Sequence, residues 1–225
     1  MTSVIAGTAS NTGNGDDGVD LSNTSGSGSV EVRDSTFTYN SDEGLYATSD
    51  SDITLVNVTS NSNGGDGAYL DNSSGGGDDN IFVVKSVFSS NGDDGLEAHS
   101  NDDITLINVT AQGNNNDGAY LATSTSSGDM VTICGGLFTG QSGSGDYNVQ
   151  VSGGNTRTRS SDLAPYTNWS GSWTNIANGT GACNFLDTDS DQVPDQWDTD
   201  DDNDGVLDTA DSCPGTPGHQ AWMSR

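Results

Sequence analysis

Basic residues are scarce in this chain. Five lysines and arginines face 33 acids, for a net charge of −28 over 225 residues. So few cations exclude a nucleic-acid partner, which needs a basic surface to replace counterions. They also exclude attraction to anionic membranes. Hydrophobic residues make up only 30% of the chain. No apolar run is longer than a handful of residues ("IFVV" at 81–84), so no segment inserts into a membrane, and no signal peptide is visible. Glutamate is nearly absent too: Glu31, Glu43 and Glu97 are the only three, and every other acid is aspartate. Aspartate suits tight turns and oxygen-ligand metal loops. Composition alone describes a chain too polar to offset its conformational entropy.

Periodicity overrides that reading. "ITLVNVTSNSNGGDGAYL" at 53–70 returns as "ITLINVTAQGNNNDGAYL" at 104–121, and 81–98 and 30–47 follow the same scheme. Glycines 18, 44, 67, 95 and 118 mark each copy. An acid precedes each one: Asp17, Glu43, Asp66, Asp94 and Asp117. Four residues before each glycine stands an asparagine: Asn14, Asn40, Asn63, Asn91 and Asn114. Apolar residues follow one and three positions after it, with Asp20, Tyr46, Tyr69, Glu97 and Tyr120 between them pointing outward. This is period-2 alternation in very short strands, and Gly, Asn, Ser and Thr support helix poorly. Strands that recur once per coil stack in parallel, and asparagines in register form an amide ladder. Small inward residues such as Ala47, Ala68 and Ala119 suit a narrow interior.

The pattern resembles the right-handed parallel β-helix repeats of secreted polysaccharide-active enzymes and bacterial surface proteins. The expected fold is all-β, a right-handed parallel β-helix over 1–154 in about six coils, roughly 30 Å long at about 4.8 Å per coil. The opening stretch enters the repeat directly, so the chain is expected to be an excised piece with an added or internal Met1. In the last coil Tyr147 stands where glycine is expected. Residues 155–186, which include Trp169 and Trp173, lose the period and are expected to form a cap or linker.

Such a fold raises the question of catalysis. "NGDDG" at 91–95 superficially resembles the paired aspartates of β-helix polygalacturonases, and His99 lies nearby. The same slot reads "NSDEG", "NGGDG" and "NNNDG" in sister coils, so it is a repeat position. A polyuronate lyase needs a base beside a uronate carboxylate, and only Arg33 and Lys85 lie within the coils. No catalytic constellation emerges, and the chain is not expected to be an enzyme. The alternative is a non-catalytic or partial fragment of a carbohydrate-active β-helix enzyme.

The remaining signal lies at 187–211, with eleven aspartates and no lysine or arginine. "DTDSDQVPDQWD" at 187–198 aligns with "DDDNDGVLDTAD" at 200–211, and both carry acids at positions 1, 3, 5, 9 and 12. A twelve-residue calcium loop draws oxygens from these positions, with a backbone carbonyl at position 7. The expected Ca2+ ligands are Asp187, Asp189, Asp191, Asp195 and Asp198 with the Val193 carbonyl. The second set is Asp200, Asp202, Asp204, Asp208 and Asp211 with the Val206 carbonyl. Carboxylates so concentrated repel one another unless a hard cation neutralises them. No flanking helices are predicted. With "DSCP" at 211–214, the stretch 187–214 resembles thrombospondin type 3 calcium-binding repeats, followed by a tail at 215–225. It departs from that family in having Gln192 where loop one expects glycine.

Cys134, Cys183 and Cys213 allow one bridge and one leftover thiol, with Cys134–Cys183 the favoured pair. The expectation is an extracellular, secreted or cell-surface calcium-binding structural or adhesive module of a larger bacterial protein. Its expected partners are cell-surface glycans or protein ligands, with end-to-end self-association through coil edges.

Overall fold

Alternation decides which side chains enter the interior. The computed structural model describes residues 3–5, 10–25, 27–124, 129–139, 141, 147–153, 155–159, 169–170, 173–176 and 183–217. The chain divides into two compact units, Met1–Asn178 and Gly179–Arg225. The first is a parallel β-solenoid. One stack of strands runs through Val30–Arg33, Ile53–Val56, Ile81–Val84, Ile104–Gln112 and Met130–Thr139, every neighbour parallel. A second stack runs through Val19–Asn23, Leu45–Ser49, Ala68–Asp71, Leu96–Ser100, Ala119–Thr123 and Val149–Ser152. From Val19 to Val149 the chain therefore makes five turns. Short strands Thr36–Thr38, Thr59–Asn61 and Val87–Ser89 complete each turn, pairing in parallel along a third side. Among the described residues there is no α-helix.

The interior explains why the repeat unit is two coils rather than one. In the second stack the inward column reads Leu45, Ala68, Leu96, Ala119, and its neighbour reads Ala47, Leu70, Ala98, Leu121, all buried. The third side alternates likewise: Phe37, Ser60, Phe88, Ala111. Large side chains over small ones fill a narrow core at close-packed density, so size repeats every second turn. Each buried Leu or Phe contributes roughly 1.5–3 kcal/mol.

Two further columns fix the register. Asn40 Nδ2 donates to Asn63 Oδ1 at 2.9 Å, Asn63 Nδ2 to Asn91 Oδ1 at 3.1 Å, and Asn91 Nδ2 to Asn114 Oδ1 at 3.1 Å. The same oxygens accept backbone N–H groups from the preceding turn. At its end the ladder passes to Gln141, whose Oε1 accepts the Asn114 N–H at 3.1 Å. The glycines are required by close approach: a Cβ on Gly67 would lie 2.4 Å from the Gly95 carbonyl oxygen, and one on Gly95 would lie 2.5 Å from that of Gly118.

The structure differs from the sequence reading at the C-terminal end of the solenoid. Asn148, not Tyr147, occupies the glycine position: Ala119 pairs with Val149, and Gly118 N–H donates to the Tyr147 carbonyl. The apolar pair Val149 and Val151 sets that register, and the missing glycine hides it. Parallel pairing also runs past residue 154. Asn155–Arg159 pairs with Met130–Thr139, Trp173–Ile176 pairs with Asn155–Arg159, and Trp169–Ser170 pairs with Val149–Ser152. Backbone ladders need no Asn or Gly signature, so the solenoid continues where the repeat fades. Residues 160–168, 171–172 and 177–182 of the expected cap or linker lie outside the described residues.

Candidate metal centre

In the second unit, aspartates are held by the turns they make. Asp187 Oδ2 accepts the Gln192 N–H at 3.2 Å, and in the next loop Asp200 Oδ2 accepts the Gly205 N–H at 2.9 Å. Asp189 Oδ1 accepts from Asp191 N at 3.0 Å, as Asp202 Oδ1 does from Asp204 N at 3.1 Å. Asp191 Oδ1 and Asp204 Oδ1 accept from Val193 N and Val206 N at 2.7 and 2.9 Å. The left-handed residues match as well: Ser190 and Gln192 (φ 64 and 83) correspond to Asn203 and Gly205 (φ 53 and 89). Two sequences that share little beyond their acids thus make the same loop twice.

This backbone gathers the first three acids of each loop. Oxygens of Asp187, Asp189 and Asp191 lie within 4.8 Å of one another, and so do those of Asp200, Asp202 and Asp204. The remaining ligands expected from sequence are placed differently. Asp195 accepts from the Thr188 N–H and hydroxyl, both at 2.8 Å, and Asp208 accepts from Asp201 N at 3.0 Å. Asp198 Oδ1 caps Thr199 N and Asp200 N, and Asp211 Oδ1 caps Cys213 N at 3.0 Å. Burial, with the charges of Asp191 and Asp189, raises the Asp198 carboxyl above its ordinary range. Val193 and Trp197 are buried, and Trp197 meets Phe185 edge-on at 5.2 Å, a small apolar contact at loop one. Asn203 of loop two donates its side-chain amide to Asp189 of loop one.

Four carboxylate oxygens here are buried without a hydrogen-bond partner: Asp187 Oδ1, Asp200 Oδ1, Asp201 Oδ1 and Asp202 Oδ2. A buried anionic oxygen with no donor is costly, and a hard cation removes that cost. The donor set, all oxygen, fits calcium rather than a thiophilic metal. Asp201 was not singled out by sequence, because its counterpart in loop one is Thr188. Its carboxyl is pushed up to about 6 by desolvation, then by the charges of Asp208 and Asp195 and a side-chain hydrogen bond to Asp208. The signal available in the sequence was the unbroken triplet at 200–202.

Acids also come close in the solenoid, at Asp66, Asp94 and Glu97 and at Asp16, Asp17 and Asp42. On the outer face Glu97 meets His99 Nε2 at 2.6 Å, which raises the imidazole above its ordinary range. His99 lies between Tyr69 and Tyr120, with ring centroids at 5.6 and 5.7 Å. Cys134 and Cys183 are disulfide-bonded and Cys213 is an exposed free thiol.

Comparison with protein families matches residues 8–161 to the right handed beta helix region. The chain belongs to that β-helix family. Residues 186–220 match the thrombospondin type 3 repeat, the span that holds both loops. Searches of curated proteins and of solved structures return no match. The β-helix match accounts for the parallel stacks and leaves activity open, since this fold serves both structural proteins and enzymes. The type 3 match makes this span similar to a family of calcium-binding repeats of extracellular type. No helix among the described residues is long and apolar enough to cross a membrane.

Proposed function

We propose that this β-helix chain is an extracellular structural or adhesive module, secreted or at the cell surface, and part of a larger bacterial protein. Its thrombospondin type 3 segment binds calcium and stiffens on doing so. The observation that carries the reading is the pair of matched aspartate triplets, with one buried oxygen in the first and two in the second that no hydrogen bond satisfies. The calcium ligands are Asp187, Asp189 and Asp191 in loop one and Asp200, Asp202 and Asp204 in loop two. Asp198 and Asp211 close the loops, Asp195 and Asp208 act through the loop backbone, and Val193 and Val206 supply carbonyls. Asp201 adds an oxygen beside Asp208. Calorimetric titration with calcium chloride tests this: Asp202→Asn should abolish one site and spare the other, and a variant that binds like the parent refutes the assignment.

Its partners are cell-surface glycans or proteins, and copies associate through the terminal rungs of their sheets, since strand edges invite pairing. The net charge of −28 opposes that association, so calcium or high salt should promote it. Sedimentation velocity showing an unchanged monomer across both titrations would refute self-association.

A second reading, a partial fragment of a carbohydrate-active β-helix enzyme, is favoured by one feature. The Glu97–His99 pair breaks the outward column of tyrosines. Incubation with a panel of acidic polysaccharides, read for unsaturated products and reducing ends, separates the two readings. The structural reading predicts neither.

A further inference from the structure

The acids that precede the repeat glycines form a column along the solenoid. Gly18, Gly44, Gly67 and Gly95 each donate their N–H to the carbonyl of the next turn's acid, at 2.9–3.0 Å. That ladder sets Asp17, Glu43, Asp66, Asp94 and Asp117 one rung apart. One carboxyl oxygen of most members is occupied by the next turn. Glu43 N donates to Asp17 Oδ1 at 3.2 Å, Asp94 N to Asp66 Oδ1 at 2.8 Å, Asp117 N to Asp94 Oδ1 at 2.7 Å, and Tyr147 N to Asp117 Oδ1 at 2.6 Å. Asp66, Asp94 and Asp117 are only 4–5% exposed. Oxygens of Asp66, Asp94 and Glu97 lie within 4.8 Å of one another.

We propose that this column holds protons between its turns, so that the solenoid folds with carboxyls protonated and is stabilised by mild acid. Two ionised carboxylates at such separation in a medium of low polarity repel strongly, and a proton on one of them removes the repulsion. The charges acting on Glu43, Asp66 and Asp94 are acidic. Asp94, Glu97 and Asp93 act on Asp66; Asp117, Asp93 and Glu97 act on Asp94; Asp42 and Asp17 act on Glu43. The imidazole of His99 is engaged with Glu97.

Burial is the largest influence on all three and outweighs the backbone N–H groups that favour the ionised form. It lifts Asp66 to about 8 and Asp94 and Glu43 to about 7. A pKa raised on folding means that the folded chain binds more protons than the unfolded one. The stabilisation is complete below the ordinary carboxylate range and is lost as pH climbs through 7 to 8. Neighbouring members titrate together, so the measured values belong to the column.

The test is thermal unfolding of the full chain in saturating calcium chloride, followed by the β signal in circular dichroism. The melting midpoint should stand several degrees higher at about pH 5 than at about pH 9, and unfolding near neutrality should release about two protons per chain. The double variant Asp66→Asn, Asp94→Asn keeps the oxygens that accept the Asp94 and Asp117 N–H groups and removes two titrations. It should flatten the pH dependence and raise the midpoint at high pH. If the variant does not fold, carbon-13 titration of the parent's aspartate carboxyls decides, with two resonances expected to move near neutrality. Carboxyls that all titrate in the ordinary range, or a midpoint that rises with pH, would overturn the proposal. So would a pH dependence that sodium or calcium abolishes, since a metal ion would then occupy the column.

Discussion

Replacing Gln192 by glycine should strengthen the weaker of the two calcium sites. Gln192 and Gly205 occupy equivalent turns at φ 83 and 89, and each donates its N–H to the first aspartate of its loop. A side chain in the left-handed region costs about 1–2 kcal/mol. Nothing lies within 4 Å of a Cβ placed on Gly205, so the cost is local backbone conformation and not a clash. Without calcium the clustered acids repel and little apolar surface holds the loop shut, so the backbone relaxes, and the strain is restored on binding. Glycine forfeits part of the gain, about 0.4–1 kcal/mol, because the open loop is freer. The net of about 0.5–1 kcal/mol corresponds to a roughly two- to fivefold difference in affinity. Calorimetry with calcium chloride reads it directly: Gln192→Gly should tighten the weaker site, and Gly205→Gln should weaken the stronger. If Gln192→Gly leaves both sites unchanged, the strain at residue 192 is not coupled to binding.

Three further outcomes are expected. Chelation should expose the chain to proteolysis only beyond about residue 184, because the solenoid closes its own backbone hydrogen bonds while 187–211 depends on the ion; simultaneous loss of the solenoid would contradict this. Asn91→Ala strands the Asn63 N–H and takes one acceptor from its side-chain amide, both of which donate to Asn91 Oδ1 at 3.1 Å. It should cost about 2–4 kcal/mol in urea unfolding, and a loss within error would mean that water replaces the ladder. Gly67→Ala places a Cβ against the Gly95 carbonyl and should destabilise strongly. Gly76→Ala, with nothing within 4 Å, should be silent, and equal effects would show that the close approach is not what requires glycine.

Much of this was legible in the chain because the solenoid repeats its chemistry. Asn40, Asn63, Asn91 and Asn114 announce the ladder by identity and spacing, and Ala47, Ala68 and Ala119 announce a narrow interior. Gln141 and Asn148 were not legible as the next members, since one is an amide of different length and the other carries a side chain where glycine was the marker. Strands Asn155–Arg159 and Trp173–Ile176 pair in parallel where the sequence carries no repeat signature. In the calcium unit the two-loop alignment marks Asp187, Asp189 and Asp191 with Asp200, Asp202 and Asp204. It passes over Asp201, because alignment rewards positions shared by both loops. The acids before the glycines were visible as a pattern, but their burial, and hence their protons, came only with the stacked turns.

Above all, the aspartates at 187–211 are expected to assemble around calcium. Trp197 sits within loop one and can sensitise a bound lanthanide, so terbium luminescence excited through tryptophan reports the site directly. Emission should be strong, be displaced competitively by calcium, and be removed by Asp187→Asn with Asp189→Asn. Emission that is absent, or that survives both the substitutions and excess calcium, would contradict it.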